Sequence, residues 1–244
     1  MERSVPSWLE RTELLIGADA VLRCLDANIL LVGLGGVGSY AGEFLVRAGI
    51  GSITIIDGDI VDPTNKNRQL QALDSTRSLS KSELLESRFK DINPEIKITS
   101  YNRFLEPDDM EQLLKEKQFD FVLDCIDSIS PKISLIKQAK QARLKVISSM
   151  GAGGKTDPSR LKIADISETK ECKFAKMVRK RLKYEGIRKG VTAIYSEEIQ
   201  PKSALHLTDG KNYKKSYYGT ISYMPALFGL MIASEVIRRL ANLK

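Results

Sequence analysis

ILLVGLGGVG at Ile29–Gly38, together with the returning strand end IIDGD at Ile55–Asp59, decides how this chain folds. The first stretch is an apolar strand that runs into a glycine turn and a helix start. The second brings a carboxylate back 24 residues after Gly33. Gly33 permits a tight turn, Gly35 and its neighbour Gly36 let a phosphate approach the main chain, and Gly38 lets helix and strand pack closely. The first N–H groups of the following helix have no intrahelical partner and face the anion. Asp57 is placed to take a ribose hydroxyl pair, with Asp59 just beyond it. The motif by itself serves a dinucleotide and ATP alike.

Outward from this motif, strands and helices alternate. The 3.6-residue spacing of apolar side chains predicts helices over Glu10–Leu25, Val37–Ala48, Leu79–Lys90, Asp108–Lys117 and Pro131–Ala142. Ser80, with Glu83 three residues later, reads as a helix cap, and Pro131 as a first helical residue. Strands are expected at Asn28–Val32, Ser52–Asp57, Lys97–Tyr101, Asp120–Cys125 and Lys145–Ser149. This order specifies an α/β fold, a Rossmann-like, doubly wound, mainly parallel sheet covered on both faces. After GAGGK at Gly151–Lys155 the pattern changes. Strands near Arg160–Ile166 and Gly190–Tyr195 flank a basic helix, Lys202–Tyr218 reads as a polar mobile loop, and a last helix covers Tyr223–Leu240. The apolar start of that helix predicts burial, in the chain or under a second subunit.

The chain has 244 residues, enough for one large core with an annex, and 42% of them are hydrophobic. The start has no uninterrupted apolar run, and Met224–Ala233 is too short to span a bilayer, so no membrane association and a cytoplasmic location are expected. The three cysteines and single histidine lack metal-ligand spacing. Cys125 lies in the apolar strand FVLDCID and reads as a buried thiol, and Cys172 is not expected to be catalytic. Net charge is +7, and it is segregated: Lys155–Lys215 holds 16 basic and 8 acidic residues, and Lys170–Lys189 holds nine and two. That segregation points to a phosphate-backbone surface as well as a solvated helix face.

The segment DPTNKNRQLQALDSTRSLSKSE selects the chemistry. A dehydrogenase has no need for Asn65 and Arg68 directly after the ribose carboxylate, nor for Lys81 at the next helix start; a site that must neutralise three phosphates does. Arg68 offers planar bidentate donors, Lys81 a mobile point charge, and Asn65 an uncharged brace. Asp127, beyond the strand end LDCID, is available to hold Mg²⁺ against the phosphates, with Asp124 to orient it.

On RTELLIG (Arg11–Gly17), GLGGVGS (Gly33–Ser39), DGDIVDPTNKNRQ (Asp57–Gln69), LSKSE (Leu79–Glu83), DCIDS (Asp124–Ser128) and GAGGKTDP (Gly151–Pro158), the chain resembles the ubiquitin-activating-enzyme-like superfamily of adenylating proteins. The resemblance implies ATP and Mg²⁺, with Asp57 on ribose, Asn65 and Arg68 on phosphates, Lys81 on the triphosphate and Asp127 on the metal. It implies a homodimer in which Arg11 reaches the partner's triphosphate, and a monovalent cation, K⁺ or Na⁺, near Gly151–Lys155. The paired CxxC motifs of sulfur-carrier activators are absent. The TNxNRQ form and the basic C-terminal region are similar to the tRNA threonylcarbamoyladenosine dehydratase branch. That similarity implies tRNA bearing threonylcarbamoyladenosine as substrate, a carboxylate activated by ATP and cyclised with loss of water, and sulfur-relay proteins as further partners. Residues 1–154 then form the ATP-binding core with its N-terminal helix, and 155–244 a basic region for substrate binding and dimerisation, continuous with the core. The alternative is adenylation of the C-terminus of a ubiquitin-like sulfur carrier. A nicotinamide dehydrogenase and a non-catalytic RNA-binding module are the remaining readings.

Overall fold

Short apolar runs alternating with amphipathic helices bury their faces by forming one sheet with helices on both sides. The computed structural model describes residues 4–207 and 216–243. Seven strands, β1 (Asn28–Val32), β2 (Ser52–Ile56), β3 (Lys97–Tyr101), β4 (Phe121–Asp124), β5 (Lys145–Ser149), β6 (Leu161–Asp165) and β7 (Thr192–Ser196), lie in the order β3-β2-β1-β4-β5-β7-β6. All pairings are parallel except β6 on β7. Residues beyond 154 therefore add two strands to the same sheet. The chain winds outward from β1 to β3 and then returns to β4 on the other side of β1. The carboxyl ends of β1 and β4 thus form the switch point, where open α/β proteins bind ligands.

Helices α1 (Glu10–Ile16), α2 (Ala18–Asp26), α3 (Gly38–Arg47), α4 (Lys81–Ile92), α5 (Pro107–Glu116), α6 (Ile129–Gln141), α7 (Lys173–Tyr184) and α8 (Tyr223–Leu240) cover the sheet. Leu45, Phe89, Phe228 and Ile232 close the core on one face; Met110, Leu135, Ile136, Val178 and Leu182 close it on the other. Each such side chain contributes about 1.5–3 kcal/mol when fully buried. One face of the apolar start of α8 is buried within the chain, where Met224, Phe228 and Ile232 pack beside α3, while Tyr223 and Leu230 stay exposed. None of the described helices is long and apolar enough to cross a membrane.

Four local expectations are corrected. The single helix over Glu10–Leu25 is two, because Gly17 at φ +85° ends α1 and starts α2 in a conformation no helix continues. Helix α6 begins two residues before Pro131, whose missing N–H still falls in the first turn, where none is needed. The strand expected at Gly190–Tyr195 is β7, shifted to Thr192–Ser196. Within Lys202–Tyr218, Leu205–Leu207 (β8) and Ser216–Tyr218 (β9) pair as an antiparallel hairpin rather than a loop; residues 208–215 of that expectation lie outside the described residues. Ser80 caps α4 as read, its Oγ accepting the Glu83 N–H at 3.4 Å.

Glu43 ties α3 to α4. Its carboxylate accepts from Arg88 Nε and Nη2 at 2.8 and 2.9 Å and from Arg47 Nε at 2.8 Å. Burial pushes this carboxyl up, but the hydrogen bonds and charges of Arg88 and Arg47 outweigh it and hold it below the usual range. A depressed folded value stabilises above the unfolded pKa of about 4.3 and is lost as pH falls through the folded value. E43Q is therefore expected to lose on the order of 1–3 kcal/mol near neutral pH, the range for hydrogen bonds to charged groups. Urea melts should show that gap closing below about pH 4; a gap independent of pH would contradict the ion pairs.

Candidate nucleotide and substrate site

The glycine loop follows β1 at the switch point. Gly33 turns with φ +90°, and a Cβ at Gly38 would lie 1.8 Å from the Gly33 carbonyl oxygen, so any side chain there would push α3 off the loop. No side chain caps α3; within its first turn the Ser39 N–H donates to the Gly35 carbonyl at 3.1 Å, and the helix N-terminus is directed at the loop where an anion would bind. Gly35 has open space, the nearest atom to a Cβ there being Gln69 Nε2 at 3.8 Å, whereas Gly36 packs under Pro225 and the Arg68 backbone. Gln71 Nε2 braces the loop through the Leu34 carbonyl at 2.7 Å.

Asp57 stands at the end of β2. Its Oδ2 accepts the Leu34 N–H at 2.6 Å and its Oδ1 the Asp59 N–H at 2.8 Å. Burial raises this carboxyl above the ordinary range, against the lowering effect of Lys81 and the two backbone N–H groups. The carboxylate therefore shapes the loop it was expected to serve. Lys81 is corrected in one respect: it is not mobile. At the start of α4 the Lys81 N–H donates to the Asp59 carbonyl at 3.1 Å, and its side chain, 5% exposed, donates through the ammonium to Asp59 Oδ2 at 2.9 Å. Asp59, half-exposed, is thus the lysine's partner as well as a loop residue.

Asn65 is buried and accepts the Asp62 N–H on its Oδ1 at 3.1 Å, closing the turn that presents Arg68. Arg68 Nη1 donates to the Thr64 carbonyl and to Asn67 Oδ1, both at 2.9 Å. Burial lowers the guanidinium pKa, and the charge of Asp127 opposes that shift. The fold has therefore brought Arg68 and Asp127, from opposite sides of the switch point, within reach of one another's field. Asp127 is exposed beyond β4, and no cluster of three or more metal-binding side chains occurs among the described residues. One carboxylate is the donor set that suits Mg²⁺ held chiefly by phosphates and water.

Asp124 does not serve as a simple neighbour of Asp127. It is fully buried, its Oδ2 accepting from Lys132 Nζ and Ser148 Oγ, each at 2.6 Å, while Oδ1 takes the Ile126 N–H at 3.1 Å. It shapes the turn that carries Asp127 through the backbone. Lys132 was legible in principle: it occupies the face shared by Leu135, Ile136 and Ala139 at helical spacing, a position where a lysine must find a partner.

Other expected residues lie elsewhere. Arg11 is exposed on α1, which follows Leu9; Leu9 packs at Gly49, beyond the far end of α3, so one chain does not bring Arg11 to its own glycine loop. Leu14 and Leu15 on the same helix are more than 80% exposed. At Gly151–Lys155, the carbonyl of Gly153 accepts from Gln200 Nε2, and those of Ser196 and Glu198 accept the Lys155 ammonium. Of that turn's own carbonyls, the one at Gly153 is thus already engaged. Cys172 is buried and caps α7, accepting the Ala175 N–H on its sulfur, and burial raises the Cys125 thiol. On α7, Ala175, Val178 and Leu182 face inward while Lys173, Lys176, Lys180 and Lys183 are exposed. Arg179 is not part of that surface, because Nη1 is held by the Ile166 carbonyl and by the Thr169 carbonyl and hydroxyl. The helix begins where Cys172 Sγ meets the Met150 carbonyl just past β5, on the edge that holds the glycine loop.

An open, mainly parallel sheet with this loop at its switch point, a buried lysine beside it and an arginine presented next to it defines a nucleotide-binding α/β protein built for phosphates. The chain belongs to the ThiF family, whose model matches residues 9–244. It is 44% identical over 234 residues to the tRNA threonylcarbamoyladenosine dehydratase of Bacillus subtilis, covering 93% of this chain and 92% of that one. The crystal structure of the Escherichia coli tRNA N6-threonylcarbamoyladenosine dehydratase in complex with ATP superposes with a TM-score of 0.87 at 33% identity, over 98% of this chain and 97% of that one. Likeness to the E. coli molybdopterin-synthase adenylyltransferase, 35% identical, spans only 50% of this chain and 49% of that one.

Proposed function

We propose that this chain is an ATP-dependent tRNA threonylcarbamoyladenosine dehydratase, and that it works in the cytoplasm as a homodimer. The observation that carries the reading is the likeness to the B. subtilis dehydratase over nine-tenths of both chains, a span that takes in the basic C-terminal region. Sulfur-carrier activation draws on a likeness half as long. The exposed Leu14 and Leu15 stripe beside Arg11 supports a second subunit on α1.

A carboxylate is a poor electrophile because its leaving group would be hydroxide. The threonyl carboxylate of the modified adenosine attacks the α-phosphorus of ATP and pyrophosphate leaves, giving an acyl adenylate. The N6 nitrogen of the adenosine, across the carbamoyl carbonyl, then attacks the activated carbonyl and gives up its proton as AMP leaves, so a five-membered ring closes with net loss of water. No protein nucleophile is required. The chain's task is to hold the acid in line and stabilise charge as it develops on the phosphorus. The α3 N-terminus and Arg68 face that charge, Lys81 fixes the electropositive field from beneath, Asp57 and Asn65 hold the loops, and Asp127 would hold Mg²⁺. That ion would supply charge neutralisation on the phosphates. The exposed lysines of α7 bind tRNA phosphates without reading bases.

The test incubates the chain with ATP, Mg²⁺ and threonylcarbamoylated tRNA, then weighs the released nucleosides. The modified adenosine should be lighter by one water; an unchanged mass overturns the proposal. A K176E/K180E/K183E variant should raise the KM for tRNA while leaving that for ATP unchanged. It should also flatten the salt dependence of tRNA binding by about one unit of log–log slope for each phosphate no longer neutralised.

A further inference from the structure

The β8–β9 hairpin stands apart from the main sheet. Its register sets Leu205 opposite Tyr218, His206 opposite Tyr217 and Leu207 opposite Ser216. Opposed residues of an antiparallel pair share a face, and faces alternate along each strand. The Tyr218 face is turned to the Gly151–Lys155 turn: Tyr218 atoms lie 3.0 Å from where a Cβ would stand on Gly153 and on Gly154, and the Gly154 N–H donates to the Gly219 carbonyl at 2.8 Å. The other face carries His206 and Tyr217. Both are exposed, their ring centroids 4.9 Å apart with the planes at 38°. Neither ring belongs to the core clusters.

The base of this hairpin is tied by hydrogen bonds to a residue of the candidate nucleotide site. Two residues beyond β9, the Thr220 carbonyl accepts from Asn67 Nδ2 at 2.8 Å, and Asn67 Oδ1 accepts from Arg68 at 2.9 Å. One amide therefore ties the hairpin's base to the phosphate arginine across 153 residues of sequence. The hairpin also belongs to the part of the chain where positive charge is concentrated, with Lys202 exposed just before β8.

We propose that the His206–Tyr217 face is a stacking platform for an unpaired RNA base flanking the reacting nucleoside. The proposal rests on the dehydratase reading and adds a subsite to it. Bases splayed from an RNA loop are recognised by stacking on aromatic and histidine rings, whereas paired stems are held by their phosphates. The α7 lysines supply the second kind of contact and the hairpin supplies the first. Asn67 then relates the seated base to Arg68, so that the modified nucleoside meets the nucleotide site in register.

A cross-strand ring pair also stabilises a hairpin by itself, so the test must separate the two roles. Binding of a labelled anticodon stem-loop bearing threonylcarbamoyladenosine is measured against the full chain as Y217V, which keeps strand propensity without a ring, and as Y217W, which keeps a ring. Y217V should weaken binding about tenfold, the size of one base–aromatic stack. Its log–log salt slope and its KM for ATP should not move, because the same phosphates remain neutralised. Y217W should bind as the wild type does. A stem-loop with abasic sites flanking the modified nucleoside should bind wild type and Y217V equally. Wild-type affinity in Y217V, equal losses in Y217V and Y217W, or a Y217V defect that persists on the abasic stem-loop would each overturn the platform. A wild-type chain that converts the substrate while Y217V is unimpaired removes only this proposal; a wild-type chain that neither binds nor dehydrates the stem-loop removes the dehydratase reading with it.

Discussion

Replacement of Arg68 by alanine is expected to lower kcat for dehydration by about 10²–10³-fold, the usual loss when one preorganised charge-stabilising donor is removed from an active site. The guanidinium is partly desolvated, which strengthens its field, and it is held by Thr64 and Asn67 before any ligand arrives. It therefore needs no reorganisation as charge builds on the α-phosphorus. R68K retains a charge but not the planar fork, and should recover only a minor part of the rate. Pyrophosphate release in a single turnover, with enzyme and threonylcarbamoylated tRNA both in excess over ATP, reads the adenylation step directly. Affinity for tRNA should be preserved, because the α7 lysines lie on a different element. If R68A turns over at the wild-type rate, Arg68 is a loop brace and the phosphate role assigned to it is wrong.

The largest stability effect is expected at Lys132. Its ammonium and the Asp124 carboxylate are both fully buried and 2.6 Å apart, with Ser148 Oγ at 3.2 Å and the Ser149 carbonyl at 3.0 Å completing the ammonium's shell. K132M removes the cation and leaves a buried carboxylate supported by neutral donors alone. Breaking one side of a buried pair costs about 3–5 kcal/mol. Urea denaturation should show that loss as a lower midpoint with little change in slope. The double variant D124N/K132M removes both charges and should regain much of it, although the amide that replaces the carboxylate must still be satisfied. An unchanged midpoint for K132M would mean that the pair is dispensable to the fold. The same pair shapes the turn that carries Asp127, so K132M should also weaken ATP binding, whereas E43Q, at the junction of α3 and α4, should leave it alone.

Much of the architecture was legible because its signals are local. Ile29–Val32 is a continuous apolar run, as a strand buried on both faces must be, and the spacing of Gly33, Gly35 and Gly38 carries the turn and the close packing of α3 in the same residues. The Ser80 cap and the alternation of elements up to β5 follow from the same short-range physics. Gly17 was a break visible in the letters but masked by apolar residues that continue the helical period across it. The hairpin was hidden for the opposite reason, since its strands of three residues are too short and too polar to show alternation.

The glycine loop, the carboxylate at the end of β2 and the mainly parallel sheet were thus determined by the sequence alone, because backbone geometry and apolar periodicity act over a few residues. Only the tertiary structure decided which charges are paired and which face a ligand. Lys81 proved to be buried on Asp59, Lys132 on Asp124, and Arg179 on Thr169, while Asn67 joined Arg68 to Thr220. A lysine reads the same in sequence whether it is solvated or buried. Its partner is chosen by how distant elements pack, and burial then makes that choice obligatory, since an unpaired charge inside the core would cost more than the fold can bear.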